Sequence, residues 1–300
     1  MRIHLYYIMC IAVCVALEGC QAYMLTEEDC FPTSHAVAVH VDVDSTMAVY
    51  KTVETRSDEY QLRFTVNAYH DGKVVANACS LEPDMSLVLP HGEVRLVAFV
   101  DYVLSSMVRD YYFFTDRFDE ILVRDRVGYK PNTPSRMAFH GIVDCVVGDY
   151  TSEIDILTTA AMGQFRLVAT DVPGFEVGKI EVTHDGLMPS AIDGRDGKVC
   201  VNWGDVYLAS MPIGDLLVFD NVFAERDETL LTVTVKIFDT TGELRAITRG
   251  VTFPIVRGGI TTVRLPFYST FDREDPPPSP STGGGLSIDP SFASTVVIEI

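Results

Sequence analysis

From His35 to Asp44 the sequence alternates without a break. Val37, Val39, Val41 and Val43 fall on one face, and Ala36, Ala38, His40, Asp42 and Asp44 on the other. In an extended chain successive side chains point to opposite faces, so a period of two over this length predicts a half-buried β-strand. The pattern returns along the chain, and no window keeps a helical period for more than about two turns. Short strands about 8 to 12 residues apart, punctuated by Gly and Pro, predict an all-β fold of sandwiches. No repeat of about 20 to 50 residues is present, which excludes propellers and solenoids.

The second predicted strand runs from Tyr60 to Tyr69, with Tyr60, Leu62, Phe64 and Val66 inward and Gln61, Arg63, Thr65 and Asn67 outward. Asp71-Gly72 is a hairpin turn, because both residues tolerate the left-handed backbone that a two-residue turn requires, and 73–76 returns. Pro90 and Gly92 bracket a turn between two apolar runs. Beyond it Val94, Leu96, Ala98 and Val100 face one way and Val97 and Phe99 the other, which marks a strand buried on both faces. Residues 104–135 read as a decorated loop with one short strand at Ile121–Val123. Their aromatics, Tyr111 to Phe114 among them, are expected to plug a core, with sugar stacking as the competing use. Strands follow at 137–140, 142–147, 153–157 and 162–170, and a turn-rich stretch before Met162 predicts a domain boundary near 150–160. The second half continues with strands at 179–183, 198–202, 216–219, 230–239, 244–248, 251–256 and 260–267. The expected organisation is two tandem β-sandwich domains, 35–155 and 156–300. Within the second, residues 272–285 form a Pro- and Gly-rich tether and 294–300 a terminal strand. Val296, Ile298 and Ile300 alternate with Val297 and Glu299, so that strand needs a partner edge, in its own sandwich by preference.

The amino terminus carries a different signal. Arg2 precedes an apolar run from Leu5 to Leu17, shorter than the ~20 residues of a membrane span and of the length of a secretory signal peptide. Leu17-Glu18-Gly19-Cys20 at its end resembles the lipobox of bacterial lipoproteins, which implies a signal peptide of residues 1–19, acylation of Cys20 and a tether over 20–34. Acyl chains contribute about 0.8 kcal/mol per buried CH₂, so several chains on one cysteine hold a domain on a membrane. Glu27-Glu28-Asp29 is similar to the acidic signal that sends Bacteroides-type lipoproteins to the outer face. A net charge of −19 excludes nucleic acid as a partner. Of seven cysteines, four remain after the signal peptide and Cys20: Cys30, Cys79, Cys145 and Cys200. Their irregular spacing is not that of a zinc site, and one or two bridges of undetermined connectivity are open to an exported chain.

The sequence holds no Gly-x-Ser-x-Gly, no His-Glu-x-x-His and no phosphate loop, so no catalytic residue, cofactor or metal ligand set is assigned and no enzyme is expected. The acids of Asp42-Val43-Asp44 and of Asp193-Gly194-Arg195-Asp196-Gly197 are expected to be a strand face and a turn. Three segments carry a family resemblance. Leu89-Pro90-His91-Gly92 running into Val97-Ala98-Phe99-Val100-Asp101-Tyr102, then Gly163 to Asp171, then Gly283 to Pro290 are similar to successive segments of the Bacteroidales fimbrillin-like lipoproteins. The resemblance implies two transthyretin-like, Greek-key sandwiches and a role as anchoring or accessory subunit of a fimbrium. It also implies an outer-membrane location through Cys20 and fimbrillin subunits as partners. Polymerising members of that family lose an N-terminal segment to an arginine-specific protease, which opens a groove that a neighbour's strand fills. Here the first arginine after Cys20 is Arg56, beyond the strand at 35–44, and an anchor is expected to keep it uncut. The competing reading is a surface lipoprotein that binds a glycan or host protein through its loops.

Overall fold

The structure, a computed structural model, describes residues 33–45, 60–104, 112–114, 117–123, 132, 136–203, 206–209, 211–225, 228–269, 287–288 and 295–299. The signal peptide, Cys20, Cys30, Arg56 and the tether at 272–285 lie outside these residues. The described residues form strands and no helix. The first half contributes β1 (Ser34–Val43), β2 (Tyr60–His70), β3 (Lys73–Ser80), β4 (Asp84–Pro90), β5 (Gly92–Leu104), β6 (Tyr112–Phe114), β7 (Ile121–Val123), β8 (Ala138–Val147) and β9 (Glu153–Ala160). The second contributes β10 (Met162–Ala169), β11 (Val177–His184), β12 (Leu187–Ile192), β13 (Val199–Trp203), β14 (Val206–Ala209) and β15 (Leu216–Phe223). It continues with β16 (Thr229–Asp239), β17 (Leu244–Ile255), β18 (Ile260–Leu265), β19 (Ser287–Ile288) and β20 (Thr295–Glu299).

The first sandwich is one sheet folded over on itself, in the order β3-β2-β5-β8-β9-β1-β4. The fold-over lies between β8 and β9, which share only the pairs Phe139↔Ala160 and His140↔Thr159. Between the two layers lie Val37, Val39 and Val41 of β1, Phe64 and Val66 of β2, Leu87 and Leu89 of β4, Leu96, Ala98 and Val100 of β5, and Ile156 of β9. The alternation of β1 therefore becomes burial, with all three valines at 1% exposure or less. The Asp71-Gly72 hairpin forms with φ of 50° and 74°, the left-handed pair that this sequence favours.

Three expectations needed correction here. The two strands predicted at 137–140 and 142–147 are the single β8, which passes through Gly141. A Cβ at that glycine would lie 2.5 Å from the Leu157 carbonyl oxygen, so the residue marks a close crossing of two strands and not a turn. The outward face of β2 is not solvated: Arg63, Thr65 and Asn67 are buried. Burial of the charge is made tolerable by Asp101, whose carboxylate accepts from Arg63 Nε at 2.9 Å and Nη2 at 2.8 Å. The runs predicted at 244–248 and 251–256 are also one strand. Two steps along β16, from Val233 to Val235, oppose three along β17, from Val251 to Thr248. Gly250 (φ 64°) supplies the left-handed residue of this bulge.

The second sandwich pairs the sheet β15-β10-β18-β20-β19 with the sheet β14-β11-β16-β17. Phe165 and Leu167 of β10, Ile180 and Val182 of β11, Val233, Val235 and Ile237 of β16, Phe253 of β17 and Val263 of β18 fill the space between them. The turn-rich stretch expected before Met162 lies earlier, at 148–151, and only Ala161 separates β9 from β10. A small fourth sheet, β13-β12-β7-β6, joins the halves through the pairs Ala191↔Leu122 and Ile192↔Ile121. It covers the second face of β5, where Val97 and Phe99 meet Tyr112, Phe118, Ile121, Met162, Ile192 and Phe223.

Candidate functional site

Strand pairing at the two ends of the chain bears most directly on function. β1 is an inner strand, parallel to β9 (Ala38↔Glu153 to Val43↔Thr158) and antiparallel to β4 (Ser34↔Pro90 to His40↔Asp84). At the other end β20 lies parallel to β18, from Ile260↔Thr295 to Arg264↔Glu299, and β19 flanks it. The terminal strand thus completes its own sheet, the arrangement preferred from sequence. The first pole is built by Thr33, His35 and the 148–152 turn. There His35 Nε2 donates to the Thr151 carbonyl at 2.6 Å, and His35 Nδ1 and His91 Nε2 are 3.1 Å apart. Because β9 runs on into β10, this pole lies at the end of the first sandwich away from the junction.

At the junction, polar groups are buried in one connected set. Arg136, just before β8, donates through Nη2 to the Asp220 carboxylate and, at 2.9 Å, to the Asn221 carbonyl on β15. The Gln164 amide donates to Asn221 Oδ1 at 3.1 Å, and Asn132 exchanges backbone and side-chain bonds with Phe219. The edge of β15 is thereby covered by a segment from the first half. His184 sits nearby, edge-on to Phe165 at 6.3 Å, and burial pushes its pKa down to about 4. The unfolded chain binds a proton near pH 6.5 and the folded chain does not until about pH 4, so this group makes stability fall as pH drops through that window. A shift of that size corresponds to about 3 kcal/mol. His40 acts in the opposite sense. Its hydrogen bond to Asp84 (2.6 Å), aided by Asp42 (3.2 Å), raises its pKa, and its contribution is present at low pH and lost as pH rises. Urea titrations of His184→Gln and wild type between pH 7.5 and 4 are expected to converge at the acid end, and parallel curves would refute the assignment.

Of the aromatics of the predicted loop, Tyr112 and Phe118 are core. Tyr112 is buried, meets Phe99 edge-on at 5.4 Å and donates to the Met162 sulfur at 2.8 Å. Tyr112–Phe114 form β6, a strand missing from the sequence reading, as are β12, β14 and β19. No disulfide joins Cys79, Cys145 and Cys200 to one another, and burial pushes the Cys145 and Cys200 thiols up. Among the described residues no three His, Cys, Asp or Glu side chains are placed to hold a metal ion. A groove of about 680 Å³ opens among the described residues beside the junction, and nothing in the sequence pattern pointed to it. It is lined by the β2–β3 turn, the start of β5, the end of β8 and Arg195. Arg95 holds Asp144 bidentately at 2.7 and 2.9 Å, and Arg195 holds Asp193 at 3.0 and 2.7 Å. Each arginine's hydrogen bonds keep its carboxyl below the usual range.

A model described as a family of unknown function (DUF6562) matches residues 32–299. The chain belongs to that family. Among solved structures, this DUF6562 member is similar to a candidate adhesin from Bacteroides ovatus ATCC 8483, with a TM-score of 0.51 and 13% identity over 93% of this chain and 97% of the other. A further candidate adhesin from Bacteroides ovatus gives 0.47 at 12% identity, over 72% and 76%. The fimbrial anchor protein Mfa2 from Porphyromonas gingivalis gives 0.42 at 13%, over 72% and 82%. No curated protein matches the chain. At these identities the first likeness speaks for the fold alone, and the all-β sandwich architecture is the one expected from the sequence.

Proposed function

We propose that this chain is an outer-membrane lipoprotein, acylated on Cys20, that acts as anchoring or accessory subunit of a fimbrium. In this reading it has two sandwich domains that divide at Ala161, between β9 and β10, and it holds a fimbrillin subunit by strand pairing at a sheet edge. The observation that carries the reading is the placement of β1. It follows directly on the tether from Cys20, begins at the pole away from the second sandwich, and is locked between β9 and β4. A lipid at Cys20 then holds the first sandwich at the membrane and leaves the second projecting outward. With β1 and β20 both engaged in their own sheets, the chain supplies a finished subunit and does not await a strand. The three segments similar to fimbrillin-like lipoproteins support the same role. In cells of the source organism, Cys20→Ser is expected to abolish palmitate labelling and to move the protein out of the membrane fraction. Fibre subunits should copurify with the wild type and leave the membrane with the variant. Undiminished labelling would sink the lipoprotein assignment, and an absence of any fibre subunit in the wild-type preparation would sink the fimbrial one.

A further inference from the structure

We propose that the groove beside the junction binds a neutral polyhydroxylated ligand, an oligosaccharide, through guanidinium–carboxylate pairs contributed by both halves of the chain. The inference is independent of the fimbrial role. One wall carries Arg95 and Asp144, on neighbouring β5 and β8, joined by two hydrogen bonds of 2.7 and 2.9 Å. The same groove is lined from the other half by Arg195, whose guanidinium is held by Asp193 at 3.0 and 2.7 Å and lies 3.3 Å from Asp119. The side chains of Arg95, Asp144 and Arg195 are about half exposed, at 46, 64 and 51%, so they are fixed yet open to a ligand. A guanidinium has five N–H donors, and the bidentate contact to a carboxylate uses two of them. Each Asp144 oxygen and Asp193 Oδ2 accept one of these bonds and keep a second lone pair, whereas Asp193 Oδ1 already accepts from both Arg195 N and Nε. Such a pair offers a donor and an acceptor side by side, which two neighbouring sugar hydroxyls match by accepting from one and donating to the other.

Charge decides against other ligand classes. The lining holds Asp71, Glu93 and Asp144 against Arg95 and Arg195, an excess of one negative charge, with Asp193 and Asp119 behind Arg195. Together with the chain's −19 this repels phosphate, sulfate and acidic sugars. A cationic ligand would have to compete with Arg95 for Asp144 and with Arg195 for Asp193, which leaves it only Asp71 and Glu93 in the lining, and spermine tests that alternative. A neutral polyol displaces neither. Val146, a lining residue 71% exposed, gives an apolar surface for the C–H face of a sugar ring. The volume of about 680 Å³ is within the range of small-ligand sites, roughly 300–1,000 Å³. The Arg195 wall is rigid, which lowers the cost of ordering it on binding. Its turn is tied by Gly194 N donating to the Phe118 carbonyl at 2.9 Å, Gly197 N to the Asp193 carbonyl at 2.7 Å, and His140 Nε2 to the Gly194 carbonyl at 2.5 Å.

The test uses detergent-solubilised full-length protein, ligand-observed NMR and calorimetry. The probes are maltohexaose, xylohexaose and mannohexaose, with a heparin-derived hexasaccharide and spermine as charged comparisons. At least one neutral probe is expected to bind. Asp144→Ala and Arg195→Ala should each weaken it by about tenfold or more. Glu153→Ala, on β9 beyond the fold-over, should leave it unchanged, and urea midpoints of all three variants should match wild type. Retained binding in both groove variants, preference for spermine or the heparin fragment, or no binding of any neutral probe at millimolar concentration would each overturn the proposal.

Discussion

Replacing Asp220 by alanine is expected to lower the free energy of unfolding by about 3–5 kcal/mol, a large share of what an ordinary domain has. Arg136 and Asp220 are each only 2% exposed, and their ion pair is formed where water cannot substitute for either partner. Removing the carboxylate leaves a buried guanidinium with its main counter-charge gone and strips Asn221 N of the Asp220 oxygen that accepts from it. The double variant Arg136→Met/Asp220→Leu is expected to recover most of the loss, because an apolar pair of similar volume avoids the desolvation cost of both charges. The position matters as much as the size. Arg136 precedes β8 of the first sandwich and Asp220 lies on β15 of the second, so the single variant should also uncouple the halves. Urea unfolding followed by both far-ultraviolet circular dichroism and Trp203 fluorescence checks this. Two separated transitions in Asp220→Ala, merging again in the double variant, are the expected result. A loss below about 1 kcal/mol would show the pair to be an ornament of a junction held by apolar contacts alone.

What the sequence made legible was local, and what it hid was made by distant contacts. The valines of β1, the Asp71-Gly72 turn and the two buried faces of β5 could be read because each follows from neighbours within about ten residues. Gly141 was misread as a break because glycine in a strand has two meanings, a bend or a close approach, and only the Leu157 carbonyl from β9 decides between them. Arg63, Thr65 and Asn67 looked solvent-facing, since polar residues at alternate positions usually are, but Asp101 and the segment over the outer face make that side an interior. β12 was missed for a related reason: it holds Pro189, and its register breaks between Pro189 and Ala191. The groove was out of reach altogether. Arg95 and Asp144 are 49 residues apart, and Arg195 reaches the same place only through a turn of the other half. No spacing rule joins three such positions. The proposed lipid site is the reverse case, an expectation carried wholly by the local run Leu17 to Cys20, and it lies outside the described residues.

A chain that begins at Ser57 is expected to lose its first sandwich. That start corresponds to cleavage after Arg56, the first arginine beyond Cys20, and it removes β1 whole. Val37, Val39 and Val41 are each at most 1% exposed, and full burial of a valine contributes about 1.5–3 kcal/mol. Together the three supply roughly 5–9 kcal/mol, comparable with the whole stability of a typical domain. The loss would also leave the backbone groups of β9 and β4 facing an empty strand position, the open edges that invite pairing with another chain. A polymerising subunit can use that vacancy, but an anchor cannot, since the same cut severs it from the lipid. Two measurements follow. Recombinant 57–300 should lack protected amides in β4 and β9 by hydrogen exchange, and a peptide of residues 33–45 added in trans should restore them. Mass spectrometry of protein from native outer membranes should find an acylated peptide running unbroken from Cys20 through Arg56. A dominant native species starting at Ser57, with β4 and β9 protected, would mean that a neighbouring chain fills the groove, and would make this protein a stalk or tip subunit in place of an anchor.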